Sequence, residues 1–303
     1  MSLPPLLDET LLNSTFRFIT PILLAALGGL ICERAGVFNI ALEGLMLTGA
    51  FFAVAGSYHA QNAFAGVLAA MVAGALVAFI FAALAIGLRG NMIVIGIALN
   101  LLVAGGTVFL LRTMFDVRGA FQDPRIAGLG KITLPVVDQI AILGPILSGH
   151  SWVVYLSWAL VLATQVLLFH HRLGLRLRGV GEQPEAAETL GVNVGAIRFG
   201  AIIASGVLCG LAGAQLSLGQ VTLFVENMSG GRGWIAVVAV MLGQAHPIGV
   251  FLASVLFGFA DSIGFRLQGV GLPSQFTSMV PYVVTLIALF ITQARRRRVA
   301  LGQ

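Results

Sequence analysis

The chain has 303 residues, 58% of them hydrophobic and only 10% charged, with a mean hydropathy of +0.98. Soluble domains carry about 25% charged residues, so this composition excludes a water-facing globular surface and leaves a polytopic membrane protein. The formal net charge of +5 is carried by sixteen arginines and one lysine; it marks membrane flanks, with no indication of nucleic-acid binding.

The apolar runs are continuous rather than alternating, which argues for helices over a β-barrel. Asp8 and Glu9 stand where a signal peptide would be basic, so the first span is expected to be retained. Spans are predicted near 16–32, 37–56, 64–88, 91–112, 151–170, 197–219, 232–245, 247–265 and 276–293. The fold class is therefore all-α: a polytopic transmembrane helical bundle of about eight to ten spans. The 232–245 run is short for a bilayer that needs about 20 residues, so it is expected to be tilted, broken or merged. The 38 glycines suit close helix packing in lipid. Cys32 and Cys209 lie in or beside apolar segments, which speaks against a disulfide framework or a metal site.

Arg295 to Arg298 follow the last apolar run as cytoplasmic anchors do, which puts the C-terminus inside. Counting back through the predicted spans puts the N-terminus outside, the 113–150 loop outside and the 172–198 stretch in the cytoplasm. That stretch is a polar island. Pro184 suits a first helical turn, Glu185 and Glu188 suit a helix N-terminus, and Gly191 suits a left-handed stop. The spacing predicts a helix over 184–190 with Ala186, Ala187 and Leu190 on one face and the two glutamates on the other. Isolated, so short a helix is marginal in water, so it needs a partner surface. The plain alternative is an ordinary helical turn between two spans.

The string Glu185-Ala186-Ala187-x-x-x-Gly191 resembles the coupling loop of ABC-transporter permease subunits, which docks on the ATPase. The I-x-L-P continuation found in many of those loops is absent. Gly174 to Val192 is instead similar to the ribose, nucleoside and branched-chain amino-acid permease branch, with Glu182 inside the matching string. Glu33 to Gly44, Phe224 to Ala236 and Met279-Val280-Pro281-Tyr282 resemble further strings of that branch. The resemblance implies one permease domain over 1–303, with a coupling loop at 172–198. It also implies an importer fed by a BMP-family substrate-binding lipoprotein, a second and larger permease, and a location in the bacterial inner membrane. ATP and Mg would belong to the partner ATPase, and this chain would hold no cofactor of its own. Glu182, Pro184, Glu185, Ala186, Ala187, Leu190 and Gly191 would form the ATPase contact.

Ionisable and amide side chains inside spans are expensive and usually face the bundle interior. Asn39 and Glu43 are four apart and are expected to share a helix face. With Asn100, Gln215, Gln220, Glu226, Asn227 and Gln244 they could line a polar path for a nucleoside, a sugar or a riboflavin-like solute. The same amides could equally bind helices to one another. A faint echo links Glu33 to Gly36 with Glu226 to Gly233, each followed by an apolar run. No phosphate-binding G-x-x-x-x-G-K-[ST] loop and no metal-spaced histidine pair is present, so no catalytic residue and no metal ligand is expected. The competing reading is a stand-alone secondary transporter or channel, with Glu43 or Asp261 as its ion or proton site.

Overall fold

The computed structural model describes residues 9–133 and 147–268, and singly Met279 and Val283. The predicted span at 276–293, the string from Met279 to Tyr282, the Arg295 to Arg298 tail and the middle of the 113–150 loop otherwise lie outside the described residues.

Helix α1 (Glu9–Arg34) is followed by an extended segment and then α2 (Leu42–Ala60). Helix α3 (Ala63–Ala82) runs into a π-turn at Ala83–Gly87, and α4 (Met92–Phe115) returns. After a long connection come α5 (Trp152–His170), the short α6 (Arg172–Glu182) and α7 (Pro184–Thr189). Next is α8 (Val194–Ala214), with a π-turn at Gln215–Val221, and then α9 (Arg232–Leu242) and α10 (Pro247–Gln268). Asparagines open three of these helices: Asn62, Asn91 and Asn193 accept from the first-turn amides of α3, α4 and α8.

Six helices among the described residues are long and apolar enough to cross a membrane. Helix α2 has 19 residues but carries Glu43, Tyr58 and His59, and it is largely buried. Helix α9 has 11 residues, about 16 Å, too short to cross. The expected span from 37 differs: residues 37–40 are extended and the helix starts only at Leu42.

Helix α1 is the axis of the bundle, 83% buried over its apolar window, whereas α4 is only 22% buried and turns most of its apolar surface outward. Helix α1 packs on α8 and α10, and α2 packs on α3 and α8. The α3–α8 contact is backbone on backbone. A Cβ on Gly74 would meet the Gly206 carbonyl at 2.3 Å, and one on Gly206 would meet the Gly74 carbonyl at 2.5 Å. Small residues are used in lipid in this way because dispersion, not water exclusion, holds the helices together.

Pro21 lies inside α1 and cannot donate to the carbonyl of Arg17. The Gln220 side chain does so instead, Nε2 to O at 2.9 Å. Gln220 thus repairs α1 at the C-terminal end of the α8 π-turn. Two small antiparallel ladders tie distant loops together. Strand β1 (Ala120–Phe121) pairs with β4 (Phe224–Val225), and β2 (Lys131–Ile132) pairs with β3 (His150–Ser151).

Candidate functional site

The predicted helix of the polar island is present as α7, and Gly191 stops it at φ +78°. The Gly191 N–H donates to the Glu188 carbonyl at 2.9 Å, and the Val192 N–H to the Ala187 carbonyl at 3.0 Å. These two bonds make a Schellman stop, which needs a left-handed residue at position 191. Ala186 and Leu190 are exposed, Leu190 by 83%, as are Glu185 and Glu188. Ala187 differs from expectation. It is buried against Val180 of α6 and Val194 of α8, so it anchors α7 to its own chain.

Helix α6 supplies the support that α7 lacks alone. Leu177 is half-buried and Val180 fully buried, whereas Leu173, on the same helical face by spacing, is exposed. A groove of about 390 Å³ between α6 and α7 is lined by Leu175, Arg176, Glu182, Gln183, Ala186 and Leu190, among others. Glu182 thus belongs to the same surface as Ala186 and Leu190, and Pro184 opens α7 without lining the groove. The C-terminal end of α6, next to α7, rests on the α1 terminus. A Cβ on Gly181 would strike the Arg34 carbonyl at 2.3 Å, and Arg198 Nε donates to the Ala35 carbonyl at 3.2 Å.

From this contact the chain enters the extended segment between α1 and α2. Asn39 lies there, not on the Glu43 helix face. Its Oδ1 accepts the Ala41 amide at 3.0 Å and its Nδ2 donates to Ser205 Oγ at 3.1 Å. Asn100 of α4 grips the same segment, donating to the Ile40 carbonyl at 3.0 Å and accepting the Gly44 amide at 2.8 Å. Both asparagines thus satisfy backbone groups that the missing helical turn leaves unpaired.

Glu43 closes a second break. Its two oxygens accept the amides of Gly231 at 2.9 Å and Gly233 at 2.6 Å, at the N-terminus of α9. A carboxylate there meets unpaired N–H groups and the positive end of the helix dipole together. A Cβ on Gly233 would lie 2.4 Å from Glu43 Cα, so only glycine allows the approach. Arg232 turns the other way and pairs with Asp261 of α10 at 3.1 Å. The two strings that echo each other in the sequence therefore flank one junction, in which two interrupted segments meet.

Other expected path residues lie elsewhere. Gln215 is buried and accepts from Ser151 Oγ at 2.7 Å. Glu226 follows strand β4, where its Oε1 accepts the Gly119 amide at 3.0 Å, and Asn227 occupies a turn at φ +57°. In the loop after α4 Arg125 lies over the Tyr58 ring and hydrogen-bonds its hydroxyl. The Arg125 guanidinium also holds the exposed Asp123 carboxyl below its ordinary value. Gln244 belongs to a cavity of about 290 Å³ at the α6 end of the bundle, bounded by Glu33, Phe38, Asn39 and the C-terminal half of α9. Sequence reasoning missed Ser205, the Arg232–Asp261 pair and the Gly181 contact. Their partners are far away in the chain, and only the glycine left a signal.

The fold is that of a polytopic helical membrane protein, with a short supported helix projecting from one end of the bundle. The chain belongs to the family of permease components of branched-chain amino acid transport systems, which matches residues 11–289. Among its relatives is the guanosine ABC transporter permease protein NupQ of Bacillus subtilis, 36% identical over 91% of this chain and 89% of that one. The nucleoside ABC transporter permease protein NupC of Lactococcus lactis is 35% identical, covering 91% and 90%. TsgC13 of Haloferax volcanii, assigned as a glucose ABC transporter permease, is 33% identical, covering 96% and 94%. A solved structure described as a metal-chelate type ABC transporter, inward-facing, shares the fold with a TM-score of 0.54. It is 16% identical and covers 92% of this chain and 85% of that one.

Proposed function

We propose that this chain is the smaller permease of an ABC importer that carries a nucleoside or similar polar solute inward by alternating access. One observation carries the coupling role: α7 projects Glu185, Ala186 and Leu190 outward while Ala187 fixes it to α6, and α6 rests on the α1 terminus. A separate ATPase would bind ATP and Mg and grip α7. Its motion would pass through Gly181 to residues 34–36 and on to the junction closed by Glu43. A binding lipoprotein of the BMP family would deliver solute to the outer face near the Asp123–Arg125 turn, and a second, larger permease would complete the pathway. The protein would act as one permease domain in the bacterial cell membrane with its C-terminus in the cytoplasm.

The substrate class follows the relatives named for guanosine and nucleosides, with a simple sugar as the second reading through TsgC13. A proton-driven stand-alone transporter is disfavoured. Among the described residues Glu43 is committed to two amides and Asp261 to Arg232, so neither is free to serve as a proton site. The test is reconstituted uptake with both permeases, the ATPase and the binding protein. Glu185→Lys is expected to abolish guanosine uptake with normal membrane abundance. Wild-type uptake by that variant, or uptake without any ATPase, overturns the proposal.

A further inference from the structure

The cavity between the C-terminal ends of α1 and α9 has a chemistry that the coupling and junction residues leave unused. One wall carries the Glu33 carboxylate and the exposed ring of Phe38, and the opposite wall carries Val237, Met241 and Gln244. Among the described residues the side chains of Glu33 and Gln244 make no hydrogen bond, whereas the Asn39 side chain is committed to Ser205 and Ala41. Gln244 is held in place by a tight turn in which two successive non-glycine residues, Gln244 at φ +54° and Ala245 at φ +48°, are left-handed. L-residues rarely adopt that conformation, and surviving strain of this kind collects at functional sites. Arg34 Nε locks the turn by donating to the Ala245 carbonyl at 2.6 Å. The Arg34 guanidinium also lies over the Phe169 ring, and the cavity lining itself holds one carboxylate and no cation.

We propose that this cavity is the seat of the solute on the inner side. It takes an uncharged molecule with a flat aromatic face and paired N–H or O–H donors, and it rejects phosphorylated forms. The assignment rests on the transporter reading above. A volume of about 290 Å³ suits one small solute and not a chain. Phe38 offers a ring face for stacking, and Glu33 accepts two donors side by side, as a guanine edge or a ribose diol presents them. Gln244 can accept and donate from the far wall. A phosphate would meet the like charge of the Glu33 carboxylate with no cation in the lining to offset it.

The test places a thiol in the cavity. Cys32 and Cys209 are fully buried, so Met241→Cys gives a clean site in the complete reconstituted complex. In inside-out vesicles, guanosine should slow labelling of that thiol by an impermeant methanethiosulfonate about fivefold or more, and guanosine monophosphate should not. Phe38→Ala should remove the protection, and Glu33→Gln should narrow the difference between the two ligands. Val237→Cys, on the same wall, repeats the measurement if Met241→Cys does not assemble. Intact guanosine uptake with unprotected thiols at both positions overturns the cavity assignment alone. Protection by glucose but not guanosine overturns the aromatic-solute class. Absence of guanosine uptake by the wild-type complex overturns the transporter reading instead.

Discussion

At the residue scale, the polar side chains of the interior repair interrupted backbone. Glu43 holds two α9 amides, Asn100 holds the 40–44 connection, and Gln220 answers the carbonyl that Pro21 leaves unpaired. Glu43→Ala should lower the stability of the detergent-solubilised protein by about 2–6 kcal/mol, since each of the two orphaned amides costs about 1–3 kcal/mol. Glu43→Gln, which keeps one acceptor oxygen, should fall between that variant and wild type in thermal unfolding. An alanine variant as stable as wild type would remove the capping role. Gln220→Leu should cost about 1–3 kcal/mol, and much less in a Pro21→Ala background, where the restored amide can serve the Arg17 carbonyl. Equal losses in both backgrounds would show that Gln220 does not act on that carbonyl. The sequence made these residues visible as costly polar groups in apolar runs. It could not separate repair from solute contact, because both uses call for the same amides and carboxylates, and the partners are backbone atoms far away in the chain.

At the element scale, α7 was legible from end to end. Its start at Pro184 and its stop at Gly191 are local chemistry, so five or six residues suffice to read them. Gly191→Ala keeps the composition but forces an L-residue to φ +78°, at about 1–2 kcal/mol. It should fray α7 and reduce ATP-driven uptake severalfold, with purified protein yield unchanged. Uptake unchanged in that variant would separate the Schellman stop from coupling. A thiol placed at Thr189, which is exposed, should be labelled only from the cytoplasmic side; labelling from outside would invert the topology. The face of α7 was less legible. Helical periodicity put Ala186 and Ala187 together, but the neighbours Val180 and Val194 decided that Ala187 turns inward. The extended start of the second apolar run was not legible at all. Val37, Phe38 and Ile40 are as compatible with a helix as with an extended segment. The turn is set by Asn39 on Ser205 and by Asn100 on the Ile40 carbonyl.

At the scale of the whole molecule, the bundle is held by glycine contacts between distant helices, with α1 at its axis. Gly206→Leu should wedge α3 from α8, because even a Cβ would lie 2.5 Å from the Gly74 carbonyl. Loss of folded protein from the membrane is the expected outcome, read by detergent-extractable monodisperse yield. Normal yield would mean that α3 and α8 can separate freely. The sequence by itself determined the membrane class, most of the long helices, the α7 cap and stop, and the strings that mark the family. Each of these is written in composition, periodicity or a few adjacent residues. Tertiary structure alone decided that α2 and α9 begin at breaks, that Glu43 joins those breaks, and that Glu33, Phe38 and Gln244 face one cavity. These outcomes depend on which distant backbone groups lack a hydrogen-bond partner once the helices pack. In an apolar surrounding that need outweighs local preference.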